Sequence, residues 1–194
     1  VYGQAQEGWI RDRLEKSVQA GKPWQIIGNQ MVMAHTTGAD IVGFMGEERW
    51  AKAMKHATPI LRPWLKQLET LPVDVPFEFD GWNAYPAARE RMDKIFSDTK
   101  SHPLVLSGDS HVFWVNELFG EGDQRVAAEL GVTAITSSSI GNMLGNVELG
   151  AAFSEACPEV LFCQHLTKGY GLVTLKADEA RIDLIGMTNV HSRD

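Results

Sequence analysis

Two short apolar runs, each ending abruptly in a glycine and a cluster of polar residues, limit this chain more than any other feature. Trp24-Gln25-Ile26-Ile27 runs into Gly28-Asn29-Gln30, and Leu104-Val105-Leu106-Ser107 runs into Gly108-Asp109-Ser110-His111. Both runs read as short, buried strands, and polar groups at the C-terminal end of a strand are where α/β proteins keep their ligands. The expected fold class is therefore α/β, grading into α+β. With 194 residues, 44% hydrophobic and 22% charged, the chain can bury one ordinary globular core, which excludes collagen-like, low-complexity and disordered classes.

A formal net charge of −7 offers no basic field for a nucleic-acid backbone, so no nucleic-acid-binding surface is expected. No apolar run approaches the roughly 18–20 residues of a membrane-spanning helix, and no signal-peptide pattern opens the chain. The chain begins at Val1 rather than Met, and that start is not read as a natural domain boundary. Cys157 and Cys163, with five residues between them, match no common zinc pattern; they suit a small disulfide loop or two partly buried free thiols.

Ile10, Leu14 and Val18 recur every four residues among charged neighbours, predicting an amphipathic helix over 4–20 that Gly21 and Pro23 stop. Residues 36–71 read as a helical insertion, with Thr58-Pro59 opening a helix whose apolar stripe is Leu61, Trp64, Leu65 and Leu68; its expected role is packing. An extended, Pro-containing segment over 73–79 leads into the turn Asp80-Gly81-Trp82-Asn83-Ala84-Tyr85-Pro86. A helix with Ala88, Met92, Ile95 and Phe96 inward follows. Downstream, 132–136 is expected as a strand ending in Ser137-Ser138-Ser139, 141–150 as a loop, and 171–175 with 181–187 as a closing hairpin.

Gly108-Asp109-Ser110-His111 carries the strongest chemical signal. Glycine allows a sharp turn, and a carboxylate and an imidazole two residues apart can occupy neighbouring positions around a metal centre. The competing reading is a turn in which Asp109 caps backbone amides and His111 packs under a tryptophan. Asn29 is a weaker candidate, since an amide is a neutral ligand and more often structural. Tyr85, Trp82, Arg89 and Arg91 offer a pocket wall for an anionic ester, or else an aromatic wedge that staples a helix start to the core. The other histidines, His165 among them, form no cluster, and neither a G-x-S-x-G elbow nor a phosphate-binding P-loop occurs.

The ordered blocks GQAQEGWIRDRL, WQIIGNQMVMA, FDGWNAYPAARERM, PLVLSGDSHVFW, an SSS loop and KGYGLVTL resemble the PhoD-like alkaline phosphatase/phosphodiesterase branch of the metallophosphoesterases. The resemblance implies an αββα sandwich with two metal ions at the strand ends, iron(III) and calcium, hydrolysing phosphate esters. It also implies export to the periplasm or cell surface. Asp109 and His111 then stand where the superfamily has Gly-His-x-His, so both are expected as metal-binding and catalytic residues, with Asn29 approaching the second metal. Tyr85, Trp82 and Arg89 are the expected substrate-binding residues.

Two departures from the family pattern matter. Trp82-Asn83-Ala84-Tyr85-Pro86 replaces a block that commonly reads WDGYP, losing its carboxylate, and the early acidic metal motifs are absent. The chain therefore reads, over 1–194, as the C-terminal part of a single metallophosphoesterase domain. Its expected partner is the N-terminal half, missing or a separate polypeptide, and its substrate a phosphate ester. The rival expectation is a non-catalytic structural or interaction half.

Overall fold

The computed structural model describes residues 2–70, 72, 74–76 and 80–190. The two apolar runs are adjacent strands of one sheet. β1 (Ile26–Gly28) pairs parallel with β2 (Leu104–Ser107), Gly28 opposite Leu106. β3 (Phe113–Phe119) follows β2 in sequence, but β4 (Arg125–Gly131) lies between them, parallel to β2 and antiparallel to β3. β5 (Val160–Gln164) completes the order β1-β2-β4-β3-β5. Mixed direction and flanking helices give the α/β class that the strand pattern implied.

Helix α1 (Gln4–Gln19) buries Ile10 and Leu14, as its four-residue spacing dictates. It packs on α4 (Pro86–Thr99), which begins with proline in its first turn and ends at Lys100 in the left-handed region, φ 53°. Met92, Ile95 and Phe96 of α4 join Val105, Leu118, Val126 and Ala127 from the strands in one core cluster. A second cluster joins α2 (Ile41–His56), α3 (Leu61–Leu68) and α6 (Gly150–Ala156) to Trp114, Val160 and Cys163. The Asp40 carboxylate caps α2 by accepting from the Gly43 amide at 2.8 Å, and Gly46, at φ 73°, breaks that helix in mid-course.

The hairpin of β6 (Lys168–Leu175) and β7 (Ala180–Met187) forms its own two-stranded sheet, longer than expected. The helices foreseen over 36–71 are present as α2 and α3, while the extended segment foreseen over 73–79 falls largely outside the described residues.

Three local expectations are corrected. No strand lies at 132–136, where one was expected; the strand before it is β4, which ends at Gly131. Its fellow β3 was not anticipated because Asn116 and Glu129 interrupt the apolar pattern, and these two polar groups are buried facing each other, Nδ2 to Oε2 at 2.9 Å. The expected loop at 141–150 contains α5 (Ile140–Met143), opened by a reciprocal Ser139–Asn142 capping box. Finally, β1 is not buried throughout: Ile26 is 46% exposed, because no described strand pairs with the outer edge of β1. Cys157 and Cys163 are both buried free thiols. Burial raises the Cys157 pKa to about 11 and pushes Cys163 up as well, so both stay protonated at neutral pH.

Candidate active site

Parallel pairing of β1 and β2 brings the two polar strand ends together. The Asn29 amide donates to the Leu106 carbonyl at 2.8 Å, and the amides of Gly108 and Asp109 both donate to the Gln30 carbonyl, at 3.3 and 3.2 Å. Beyond this point Asp109 is exposed, and its carboxylate has no hydrogen-bond or ion-pair partner among the described residues. It therefore caps nothing, and that alternative falls away.

His111 sits at φ 57°, an uncommon conformation for a residue with a Cβ, held by its amide donating to Gly108 O at 3.1 Å. The Thr133 hydroxyl is shared between the carbonyls of His111 (3.1 Å) and Thr167 (2.9 Å). His111 Nδ1 lies 2.9 Å from the Ser138 carbonyl. A carbonyl can only accept, so Nδ1 carries the proton, and Nε2 is the nitrogen left to face a ligand. That orientation is what an imidazole ligand needs from its supporting partner. Ser110, between the two candidates, is pinned by Trp114 Nε1 donating to its Oγ at 3.0 Å.

Asp109 and His111 open onto a cleft of about 350 Å³ whose wall includes Thr36, Trp64, Asn83, Ser138 and His165. Asn83 Nδ2 donates to Thr36 Oγ1 at 2.8 Å, leaving Oδ1 buried with no partner. An orphaned acceptor in a polar cleft calls for a cation or a donor from a ligand. The unpartnered carboxylate, the oriented imidazole and this oxygen together form a donor set that suits a cation but does not enclose one. Among the described residues no group of three or more His, Cys, Asp and Glu side chains converges as a metal site.

Asn29 lies at the adjoining strand end but does not line the cleft. Its Oδ1 accepts from the Tyr2 hydroxyl at 3.1 Å and its Nδ2 donates to the Met31 carbonyl. The expected substrate-binding residues are not brought to the cleft either. Trp82 is buried, edge-on to Tyr2 with ring centroids 5.2 Å apart, and Tyr85 is 45% exposed outside the cleft wall. Arg89 is 1% exposed and pairs with Glu159 at 2.6 and 2.9 Å and with Asp93 at 3.5 Å. Arg89 shares a helix face with Met92 and Phe96, and that spacing was the available sign that it points inward. Arg91 is held by Glu7 at 2.9 Å.

The arginine cluster is electrostatically divided. Burial lifts Asp93 to about 6 although Arg89 opposes the shift. For Glu159 burial also raises the pKa, but His35, Arg89 and the His35 amide together outweigh it and hold the group at about 2.

Several residues that matter here were missed from sequence. Leu61 and Trp64 of α3, expected only to pack, line the cleft. His165 is buried beside it, stacked on Phe153 at 5.5 Å and bonded through Nδ1 to Glu148 at 3.3 Å. Glu129 is fully buried and accepts from the amides of Met33 (2.8 Å) and Ala34 (3.1 Å), from Ser107 Oγ (3.2 Å) and from Asn116 Nδ2 (2.9 Å). It fastens the segment after Asn29 to the middle of β4. Burial raises its pKa, and those donors pull the other way.

Fold and site together define an α/β protein with polar side chains gathered where a parallel strand pair ends. The PhoD-like phosphatase family model matches residues 1–184, and the chain belongs to that family. It is similar in fold to a solved structure of PhoD, with a TM-score of 0.65 and 19% identity, over 99% of this chain and 31% of that one. This chain thus spans less than a third of the solved PhoD chain. Comparison with curated proteins gives no match.

Proposed function

We propose that the chain supplies the C-terminal share of a dinuclear phosphoric-ester hydrolase, a phosphomonoesterase or phosphodiesterase, with Asp109 and His111 as the ligands it contributes. The observation that carries this reading is the pair itself: a carboxylate without a partner beside an imidazole whose Nδ1 proton is engaged by the Ser138 carbonyl. Two such ions, iron(III) and calcium by family resemblance, would neutralise phosphate oxygens and activate water. Asp109 adds negative charge to hold them, and His111 adds a neutral nitrogen in a fixed direction. Asn29, at the adjoining strand end, would approach the second metal only by giving up its bonds to Tyr2 and to the Met31 carbonyl. Asn83 Oδ1 accepts a hydrogen bond or approaches a cation, and Trp64 walls the leaving-group side.

The remaining ligands belong to an N-terminal half of the same domain, of which 36–71 is a helical insertion. The unpaired edge of β1 supports this, since an open edge near a site invites a further strand. Tyr170, Leu172 and Met187, each at least 50% exposed on the hairpin, offer apolar surface for the same partner. The proposed location, by family resemblance, is the periplasm or outside the cell. The described residues contain no helix long and apolar enough to cross a membrane.

The test is metal content and turnover of bis(p-nitrophenyl) phosphate by the whole protein, wild type against Asp109→Ala. Loss of bound metal with a rate at least about a hundredfold lower is expected; unchanged metal and rate remove Asp109 from the site. The second reading, a non-catalytic half, draws on Asn83 standing where the family commonly has a carboxylate. Whole protein that binds no metal and hydrolyses no ester would establish it.

A further inference from the structure

A second cavity, of about 570 Å³, lies between the later part of α2 and the 144–148 loop, with Phe44, Arg49, Lys52, His56, Leu144 and Glu148 in its wall. Arg49, Lys52 and His56 are spaced i, i+3 and i+7, so they share one helix face. In a chain of net charge −7 this is a local excess of positive charge. Neither Arg49 nor Lys52 pairs with a carboxylate among the described residues, not even with Glu48 one turn before Lys52. His56 donates Nδ1–H to the Lys52 carbonyl at 2.8 Å, which ties the ring to its own helix as part of the wall.

Glu148, the one acidic residue in that wall, is already committed. It accepts from the Gly150 amide at 2.8 Å and from the His165 amide and ring at 3.0 and 3.3 Å, and although burial raises its pKa these bonds hold it low. Phe44, 39% exposed, and Leu144 provide an apolar side. A site with two free cations and an aromatic face suits an organic anion with a planar or apolar body.

This cavity adjoins the cleft. Ile140 and Met143 of α5 line the cleft and the next residues, 144–148, line the cavity. Glu148 belongs to the cavity wall and His165 to the cleft wall, and they touch at 3.3 Å, so the partition there is one pair of side chains thick. We propose that the cavity receives a second anionic group of the substrate, a distal phosphate or carboxylate, while the ester phosphorus lies against Asp109 and His111. The substrate is then an extended ester with two negative groups. This rests on the hydrolase reading for its kinetic consequence, but not for binding itself.

The experiment uses the whole protein and the double variant Arg49→Ser/Lys52→Ser, whose exposed positions leave folding intact, as circular dichroism would verify. Naphthalene-1-sulfonate, anionic, planar and a poor metal ligand, is titrated calorimetrically. It should bind wild type and Asp109→Ala alike and at least about tenfold more weakly to the double variant, with added salt weakening wild-type binding in the same sense. Kinetically, the double variant should raise KM about tenfold more for a nitrophenyl phosphodiester carrying a second, distal phosphate than for bis(p-nitrophenyl) phosphate. Equal effects on both esters, or sulfonate binding that the double variant retains, would overturn the proposal. If wild type hydrolyses neither ester, the hydrolase reading fails, and the sulfonate titration alone decides whether the cavity is an anion site.

Discussion

At the scale of single residues, the argument turns on which polar groups are satisfied and which are left open. Arg89 is ion-paired with two carboxylates in the interior, although its Nε and Nη1 make no hydrogen bond, and Asp109 is not engaged at all. That contrast separates a structural ion pair from a candidate ligand better than residue type does. Asp93, beside Arg89, gives a pH prediction. Its folded-state pKa of about 6 lies above its unfolded value near 3.8, so the folded chain holds the proton more tightly. Its contribution to stability is complete below about pH 4 and is lost as pH rises through 6. Asp93→Asn should therefore remove a downward slope of melting temperature between pH 4 and 6, measured against wild type in parallel scans. Glu159, held at about 2, has the opposite sign: its contribution is present above about pH 4.5 and is lost as pH falls toward 2.

At the scale of elements, three contacts fix where the site sits. The Arg89–Glu159 pair joins α4 to the chain entering β5, and the Glu159 carboxylate also accepts from the amides of His35 at 2.6 Å and Phe119 at 3.1 Å. Arg89→Met would leave that carboxylate buried without its cation, costing about 3–5 kcal/mol in chemical denaturation. Adding Glu159→Gln should recover part of the loss, because the uncompensated charge disappears. The second contact is Gly131 against Trp114. A Cβ at 131 would lie 2.6 Å from Trp114 Cδ1, so Gly131→Ala forces the ring to move, destabilising the fold by about 1–3 kcal/mol. Because Trp114 Nε1 holds Ser110, the same substitution should also disturb the Asp109–His111 turn, visible as a shift of the His111 ring signals in NMR. Glu129→Gln tests the third tie, between β4 and the Met33–Ala34 amides. It keeps the shape but weakens charge-assisted bonds, and hydrogen exchange at those two amides should accelerate.

At the scale of the whole molecule, the open edge of β1 decides how the chain exists. The Asn29 amide points toward β2, so by alternation the Gly28 amide faces the unpaired side. In this chain alone the Gly28 amide should exchange rapidly, and in the presence of the proposed N-terminal half it should become protected; exchange unaffected by that half would dismiss the edge as its docking place. Much of the architecture was legible from spacing alone. The amphipathic period of α1, the proline that opens α4, the strand ends at Asn29 and Asp109 and the closing hairpin all follow from local chemistry. Hydrophobic period and turn residues act over a few positions, and a single sequence displays them openly. What only the tertiary structure decided lies in contacts between residues far apart in the chain. These are the insertion of β4 between β2 and β3, the burial of Asn116 and Glu129 against each other, the turning of Arg89 away from the cleft and the arrival there of Trp64 and His165. A buried polar group looks like a surface residue until its partner is known, and partners 13 to 70 positions away carry no local signature.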